Sequence, residues 1–223
     1  MSKPAHALIE GKPVLVIVDI MKQSFAPIPP GMRNWRMPGF VEAMAKVPPL
    51  ISVARDCGVP VVFVQEAHRP DLVDFGRELD GVEGVHCLET HSGTQIADEL
   101  GMRPDDYFIR KRRYSVFFGT DFEILLKGLG ARTLLLTGGF TDVCVHYTFV
   151  DAHQHDYFCR VVEDCVSGSS VEAHEAALRA MEYLQTGACR SSSDVIEALR
   201  AWAATARAAK RAEEPAAIRD PAR

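Results

Sequence analysis

Short apolar runs alternate with amphipathic stretches along this chain. Six mostly apolar runs bounded by turn residues predict strands: PVLVIVD (13–19), VPVVFVQE (59–66), DDYFIRK (105–111), RTLLLTGGF (132–140), FCRVVEDC (158–165) and ACR (188–190). Apolar positions at helical spacing predict helices over 40–57, 94–101, 120–130, 142–158 and 171–185. This alternation predicts an α/β fold, a single-domain, Rossmann-like three-layer α/β/α arrangement around a six-stranded, mostly parallel sheet.

The length of the chain favours one domain of this kind. Its 223 residues can bury one sizeable core and are too few for two comfortable domains. We expect the domain to occupy residues 1–193, with residues 194–223 forming a C-terminal helix whose end frays where two prolines interrupt it. Two long stretches, 24–39 and 67–93, lack a regular pattern, and loops of that length usually carry function or are mobile.

Charge and cysteine content narrow the class of protein. A formal net charge of -5 favours no polyanion, so we expect no nucleic acid partner and a small metabolite instead. The N-terminus lacks the features of a secretory signal and no apolar run is long enough to cross a bilayer, so we expect a cytoplasmic protein with no membrane partner. In that compartment the six cysteines should be thiols.

The ends of the predicted strands hold the candidates for chemistry, because ligands of open α/β sheets bind at the carboxyl ends of the strands. Cys144 lies in the first turn of a predicted helix, where free N–H groups and the helix dipole stabilise a thiolate, and Thr141 is placed to cap that helix. The simpler alternative for Cys144 is a buried structural thiol. The other strand-end candidates are Asp19, Gln65, Glu66 and Lys111.

Asp19 and Lys111 also have ordinary interpretations when each is taken alone. A carboxylate at a strand end can cap a helix or pair with a cation, and strand-end acids in such folds are not always functional. Lys111 stands in the run RKRRY, and a run of charges usually forms a solvated surface. Neither residue by itself therefore defines a site.

Three segments together resemble a known family. VLVIVD with Asp19, RKRRYSVFFGTDF with Lys111 and LLLTGGFTDVCV with Cys144 resemble the isochorismatase-like cysteine hydrolases, in order and spacing, from about residue 13 to about residue 190. The resemblance implies an Asp–Lys–Cys triad, in which Asp19 takes the proton of Cys144 and Lys111 orients Asp19 and favours the thiolate. It also implies a homotetramer or homodimer.

The resemblance extends to the turn before the nucleophile and to a metal site. It implies a cis peptide near Phe140–Thr141, which would point the N–H groups of Thr141 and Cys144 at a developing oxyanion. Nicotinamidases of this superfamily hold a metal through an Asp-x-His and a second His a few residues later. Here Glu66-Ala67-His68 is followed by no further His before His86, so we expect no metal and no other cofactor.

Within the superfamily, three segments look most like biuret and triuret hydrolases: EAHRPDLVDFGRE, TDVCVHYTFVDAHQHDY and MEYLQTGA. In that subgroup a glutamine before the last strand binds the ureido group, and Gln185 occupies the matching place. The other expected substrate-binding residues are Phe25, Phe140, His68 and Arg69. Candidates for closing over the substrate are Arg33, Trp35, Arg36, Arg113 and again His68, although surface charge or packing is the simpler role for each alone.

The sequence therefore predicts a cysteine hydrolase acting on linear amide or ureido C–N bonds. The first candidate reaction is hydrolysis of biuret to allophanate and ammonia through a thioester. Triuret, an N-carbamoyl amino acid, ureidoacrylate or another small amide is the alternative within the same chemistry. A non-catalytic binding member of the fold is the alternative from another class, and it predicts an unreactive Cys144.

Overall fold

A parallel β-sheet forms the middle layer of the protein. The structure, a computed structural model, is described for residues 6–28 and 34–213. The strands of this part of the chain are β1 (Lys12–Val18), β2 (Val61–Glu66), β3 (Tyr107–Lys111), β4 (Ala131–Gly139), β5 (Phe158–Ser167) and β6 (Cys189–Arg190). They lie in the order β3-β2-β1-β4-β5-β6, and every neighbouring pair is parallel. The predicted six-stranded α/β fold is confirmed.

Helices cover both faces of this sheet. They are α1 (Lys22–Phe25), α2 (Phe40–Met44), α3 (Val47–Asp56), α4 (Phe122–Leu129), α5 (His146–Gln154), α6 (Val171–Leu184) and α7 (Ser192–Glu213). Alternate residues of β1 point to opposite faces, as the pleat requires. Val14 and Val16 pack with apolar side chains of α4, α5 and α6, whereas Leu15 and Ile17 pack with those of α2, α3 and α7. The sheet and the helices packed on each of its two faces are the three predicted layers.

The helices differ from their predictions where prolines or short turns intervene. The helix predicted over 40–57 is two helices, because Pro48 and Pro49 lack the N–H that a continuing helix needs and instead occupy the first turn of α3. The helix predicted over 94–101 is wrong: the structure has two 3₁₀ turns there, Ser92–Thr94 and Asp98–Leu100. Gly101 closes the second turn with φ 57°, a conformation that glycine adopts without steric cost.

The helix predicted over 142–158 begins and ends differently. A π-helical turn, Thr141–Val145, precedes α5, and α5 ends at Gln154. The residue before this turn is Phe140 and no side chain caps it, so the prediction that Thr141 caps the helix is wrong. The turn lies between the end of β4 and α5, which places it at the carboxyl edge of the sheet.

The C-terminal helix packs on the domain. Val195 and Leu199 of α7 are fully buried in the same apolar cluster as α3. The expected fray of the tail falls on residues 214–223, which lie outside the described residues. Across residues 6–28 and 34–213, no helix combines the length and the apolar character that crossing a bilayer requires.

Gly138 is the position where the fold depends most directly on a missing side chain. Its φ is +106°, and a Cβ there would lie 1.9 Å from the carbonyl oxygen of Val18 on β1. We expect Gly138→Ala to lower the free energy of unfolding by about 3 kcal/mol or more, because both the backbone and β1 must move. The midpoint and slope of urea unfolding measure this.

Gly128→Ala is the matched control for that substitution. Gly128 lies in α4, and a Cβ there meets no atom within 4 Å. Alanine is the better helix former by about 0.5–1 kcal/mol, so the control should be neutral or slightly stabilising. A Gly138→Ala variant as stable as this control would contradict the tight approach of β1 and β4.

Candidate active site

Four chain segments converge where the strand order reverses. Asp19 follows β1, Glu66 ends β2 and Lys111 ends β3, while Cys144 lies in the π-helical turn after β4. β1 lies between β2 and β4. The strands β2 and β3 follow on one side of β1, and β4, β5 and β6 follow on its other side, so the strand order reverses at β1. In open α/β sheets a crevice forms at this point, and ligands bind there.

The ammonium of Lys111 lies at the centre of this arrangement. Its side chain is fully buried, and Nζ lies 2.8 Å from Asp19 Oδ2, donates a hydrogen bond to Glu66 Oε2 and lies 3.3 Å from Cys144 Sγ. Burial alone lowers the pKa of a lysine, but the negative charges of Asp19 and Glu66 more than offset it and raise the pKa of Lys111 well above its usual value. The ammonium is therefore charged at any physiological pH.

The two carboxylates that share this ammonium have different pKa values. Burial raises the pKa of Asp19 to about 6, with Lys111 opposing the shift. Burial also acts on Glu66, but Lys111 and the two histidines His68 and His86 hold the pKa of Glu66 well below its usual value. Asp19 can thus exchange a proton near neutral pH while Glu66 stays ionised, a separation that suits Asp19 to acid–base chemistry.

Asp19 is held in position by the backbone as well as by Lys111. Its φ of 52° is in the left-handed region, which aspartate tolerates better than most residues. Oδ1 accepts a hydrogen bond from the backbone N–H of Glu66 at 2.7 Å. One oxygen of the Asp19 carboxylate is therefore hydrogen-bonded to the backbone of β2, and the other is paired with Lys111.

The thiol of Cys144 is buried beside the same two carboxylates. Its sulfur is 3.4 Å from Glu66 Oε2, and Asp19, Glu66 and Cys144 each place an atom within 4.8 Å of the others. Burial, together with these two carboxylates, raises the pKa of Cys144 well above its usual value despite Lys111. A thiol with a raised pKa needs a base at the moment it reacts, and the predicted preference of the site for a thiolate stays a prediction.

The turn that carries Cys144 is built differently from the prediction. The cis peptide is Gly139–Phe140, one residue earlier than predicted. Phe140 O accepts hydrogen bonds from the N–H groups of Val143 and Val145, both at 3.1 Å. Thr141 is fully buried and its Oγ1 is 2.9 Å from His174 Nδ1. The first N–H groups of the turn have no preceding helical carbonyl, as at any helix start.

The long loop 67–93 is ordered and returns to the site. His68 N donates to Cys87 O at 2.8 Å, and Glu89 N donates to His68 O at 2.9 Å. This pairing brings His86 back to β2, where its Nε2 is 3.0 Å from Glu66 Oε1. The sequence spacing between His68 and His86 concealed this contact, because it depends on how the loop folds.

Four side chains from β2 and this loop could hold a metal ion: Glu66, His68, Glu78 and His86. One nitrogen or oxygen atom from each lies within 4.8 Å of the others. Both ring nitrogens of His68 and both carboxylate oxygens of Glu78 are buried without a hydrogen bond. Buried, unbonded nitrogen and oxygen donors fit a divalent cation, which would supply a Lewis acid beside Glu66.

This cluster corrects the reason for expecting no metal. The distance in sequence to His86 does not separate the ligands in space, although the expectation itself stays a prediction. In the cluster as it stands, His68 Nε2 is 3.2 Å from Glu78 Oε2 and 3.7 Å from Glu66 Oε1. Burial opposes ionisation, but these carboxylates raise the pKa of His68 to about 9.

The arginines around Lys111 fasten the same loop. Arg110 donates to Gln65 Oε1 at 3.1 Å, and Arg112 bonds Ala67 O, Asp74 and Glu89. Arg113 donates to Asp74 O. The run RKRR is therefore more than a solvated basic surface, because its cations bind β2 and the loop. The predicted place of Arg113 over the substrate stays a prediction.

Gln185 is not at this site, and the prediction that it binds substrate is wrong. Its Oε1 accepts from Cys159 N and Arg160, and its Nε2 donates to Tyr157 O and contacts His153. These partners lie at the start of β5, whereas Cys144 follows the end of β4, which pairs in parallel with β5. The length of the sheet separates the two residues.

The remaining predicted substrate residues are placed in several ways. His68 is fully buried and stacks on Phe75, so its place is in the cluster around Glu66 and not on a surface open to substrate. Arg69 is exposed and bonds Asp71 within its own turn, which does not support contact with substrate. Phe140 packs edge-on against Phe40, and Phe25 packs partly buried against the α2 and α3 side of the core.

The loop 24–39 is partly described. Arg36 donates to the carbonyl oxygens of Ser24 and Ala26, so it holds its own loop together. Trp35 is partly buried. Arg33 falls outside the described residues.

The chain is similar to several known proteins. Residues 13–194 match the model of the isochorismatase domain. The ureidoacrylate amidohydrolase RutB of Pseudomonas syringae pv. syringae is 29% identical over 187 residues, 75% of this chain and 76% of that protein. The maleamate amidohydrolase of Pseudomonas putida is 29% identical over 171 residues, 75% of this chain and 78% of that protein.

A solved structure extends the likeness to three dimensions. The N-carbamoylsarcosine amidase from Thermoplasma acidophilum superposes with a TM-score of 0.67 at 27% identity, covering 82% of this chain and 97% of that one. The chain belongs to the isochorismatase family, and it is an isochorismatase-like hydrolase. The family resemblance of the three sequence segments is thereby confirmed.

Removing the charge of Lys111 should destabilise the protein. Lys111→Met leaves two buried carboxylates facing each other, and breaking a buried ion pair in this way costs about 3–5 kcal/mol. Lys127→Met is the control, because Lys127 forms an exposed pair with Glu123 four residues earlier on α4, and solvent screens such a pair. Urea unfolding compares the two, and equal small losses would show that Lys111 is not the compensating charge of the site.

The ion pair between His68 and Glu78 predicts a pH dependence of stability in protein freed of metal with a chelator. The pKa of His68 is raised to about 9 from 6.5, so its stabilising contribution is fully present below pH 6.5 and is lost as the pH rises through 9. Glu78→Gln should therefore cost more stability at pH 6 than at pH 9.5, measured by urea unfolding. A difference that is the same at both pH values would contradict an imidazolium at His68.

Proposed function

We propose that this protein is an amidohydrolase that cleaves the C–N bond of a small ureido or amide compound, with Cys144 as the nucleophile. The observation that carries the proposal is a thiol in contact with a buried ammonium and the carboxylate of Glu66, with the carboxylate of Asp19 within 4.8 Å, at the strand-order reversal. A nucleophile, a base near neutral pH and a fixed positive charge are what acyl transfer by cysteine requires.

Asp19 is the group suited to take the thiol proton. Its pKa of about 6 leaves it largely ionised at neutral pH yet able to bind a proton transiently. As the sulfur attacks the carbonyl carbon, its proton passes to Asp19 and Lys111 balances the charge. Backbone N–H groups of the turn, those of Thr141 and Cys144 in this proposal, hold the oxyanion that forms.

The second half of the reaction returns each group to its starting state. The C–N bond breaks, and the leaving nitrogen takes the proton held by Asp19. Water then gives a proton to Asp19 and attacks the thioester, the C–S bond breaks, and the departing sulfur takes that proton back from Asp19. Glu66 stays ionised throughout and keeps Lys111 in place.

Biuret remains our first candidate substrate, giving allophanate and ammonia. Its support is the resemblance of the segments around Glu66 and Cys144 to biuret and triuret hydrolases, since Gln185 lies elsewhere and adds nothing. Ureidoacrylate is the second candidate, because the relative from Pseudomonas syringae acts on it and is similar over three quarters of this chain. Both are small ureido compounds that need polar partners in the pocket.

Cys144→Ser tests the nucleophile. We expect hydrolysis, followed as ammonia release from the best substrate, to fall by about 10³-fold or more, because an alcohol in this site is a far weaker nucleophile than a thiolate. Cys57→Ser is the control, since Cys57 follows α3 at the opposite edge of the sheet and should keep full activity. Equal activity in both variants would refute the assignment of Cys144.

A substrate panel tests the substrate class. We expect the highest kcat/KM with a ureido compound when biuret, triuret, ureidoacrylate, N-carbamoylsarcosine, maleamate and nicotinamide are compared. A maximum at maleamate or nicotinamide would move the proposal to simple amides. No turnover of any compound, with no alkylation of Cys144 by iodoacetamide, would favour a non-catalytic binding protein.

A further inference from the structure

The π-helical turn Thr141–Val145, which carries Cys144, also makes contacts outside the triad. Its first two side chains, Thr141 and Asp142, reach the junction between β5 and α6. Thr141 Oγ1 is 2.9 Å from Nδ1 of His174, a residue in the first turns of α6. Asp142 accepts hydrogen bonds from the backbone N–H and the hydroxyl of Ser169. The triad contacts alone therefore do not set the position of this turn.

The junction is shaped for this close approach. Gly168 precedes Ser169, and a Cβ on Gly168 would lie 2.7 Å from Asp142 Oδ1 and 2.9 Å from the Cβ of His174. The backbone of Gly168 is also bonded, because Met37 N donates to Gly168 O at 3.1 Å. Only a residue without a side chain lets α6 and the turn come this close.

The contact between His174 and Thr141 is shielded from water at the Thr141 end. Thr141 is fully buried and His174 is half-buried. Burial lowers the pKa of His174, with Asp142, Glu175 and Glu163 opposing the shift, so the ring is neutral at neutral pH. A neutral ring and a hydroxyl can bond in either direction, and the contact needs no charge.

We propose that His174 is a positioning residue for the oxyanion-binding turn, acting through the hydroxyl of Thr141. The inference rests on the proposed function, in which the N–H of Thr141 binds the oxyanion. Because the hydroxyl and the N–H belong to the same residue, the bond to His174 fixes the direction of that N–H. Donors that are fixed before the reaction stabilise the transition state more than the bound substrate.

Variants of His174 that move one polar atom provide the test. Asparagine keeps a polar atom at the δ position of Nδ1, glutamine moves it one bond further, and alanine removes it. We expect His174→Ala and His174→Gln to lower kcat by about 10-fold or more with KM within about twofold, and His174→Asn to recover most of the loss. The exposed residue His91 supplies the control, and His91→Ala should behave as the wild type.

Thr141→Val completes a double-mutant cycle. It should lower kcat as much as His174→Ala does, and the double variant should lose no more than either single variant, because all three lack the same bond. Additive losses would overturn the proposal. So would equal losses in all three His174 variants accompanied by equally lowered thermal stability, since that pattern describes a structural role only.

Hydrogen exchange separates failure of this inference from failure of the proposed function. Exchange of the peptide covering residues 140–146, followed by mass spectrometry, needs no turnover. We expect faster exchange there in His174→Ala and His174→Gln than in His174→Asn or the wild type. An enzyme inactive on the whole panel would refute the proposed function, whereas unchanged exchange and unchanged kcat in His174→Ala would overturn the role of His174.

Discussion

The buried ammonium of Lys111 is the interaction on which the rest of the site depends. Moving an ion of this kind out of water costs several kcal/mol unless neighbouring groups replace the lost hydration. Lys111 has three N–H donors, and three acceptors meet them: Asp19, Glu66 and Cys144. The ends of β1, β2 and β3 must therefore stay in register with one another, and with the turn after β4, for the charge to be compensated.

Glu66 links this centre to a second group of charges. One carboxylate oxygen contacts Lys111 and the thiol, and the other contacts His86 and lies near His68. The loop 67–93 is in turn fastened by arginines that flank Lys111 on the chain. The short edge strand β3 and the residues after it thus provide both the cation between Asp19, Glu66 and Cys144 and the anchors of the loop 67–93.

Much of the fold and the positions of Asp19, Lys111 and Cys144 follow from local sequence pattern. Continuous apolar runs predict buried parallel strands, and residues at the ends of such strands meet at one edge, so the pattern is enough to bring Asp19, Lys111 and Cys144 together. Glu66 stood among the strand-end residues, but nothing in its local pattern distinguished a site carboxylate from a surface one. A strand-end acid opposite a strand-end lysine is the signal that would have found it.

What the sequence could not provide depends on contacts between distant segments. His86 reaches Glu66 only because the loop folds back beside His68, and His174 reaches Thr141 only because Gly168 permits close packing. The prediction for Gln185 was wrong for the same reason. It rested on a position in the sequence, just before the last strand, whereas the partners of Gln185 lie at the edge of the sheet opposite the site. The π-helical turn is likewise too short to produce a repeating pattern of apolar residues in the sequence.

The pairing of β2 with β3 has a consequence for how this chain can fail. Glu66 pairs with Lys111 and Gln65 with Arg110, and the run RKRR offers a cation at every position. A slip of one residue would turn Lys111 outward and bring an arginine opposite Glu66, which keeps a positive charge beside Glu66 but withdraws the ammonium from Asp19 and Cys144. It would also turn Ile109 out of the core, so the slipped form is less stable than the native one. Any slipped molecules in a preparation would be inactive, and titration of active sites would count what spectra of folded protein would miss.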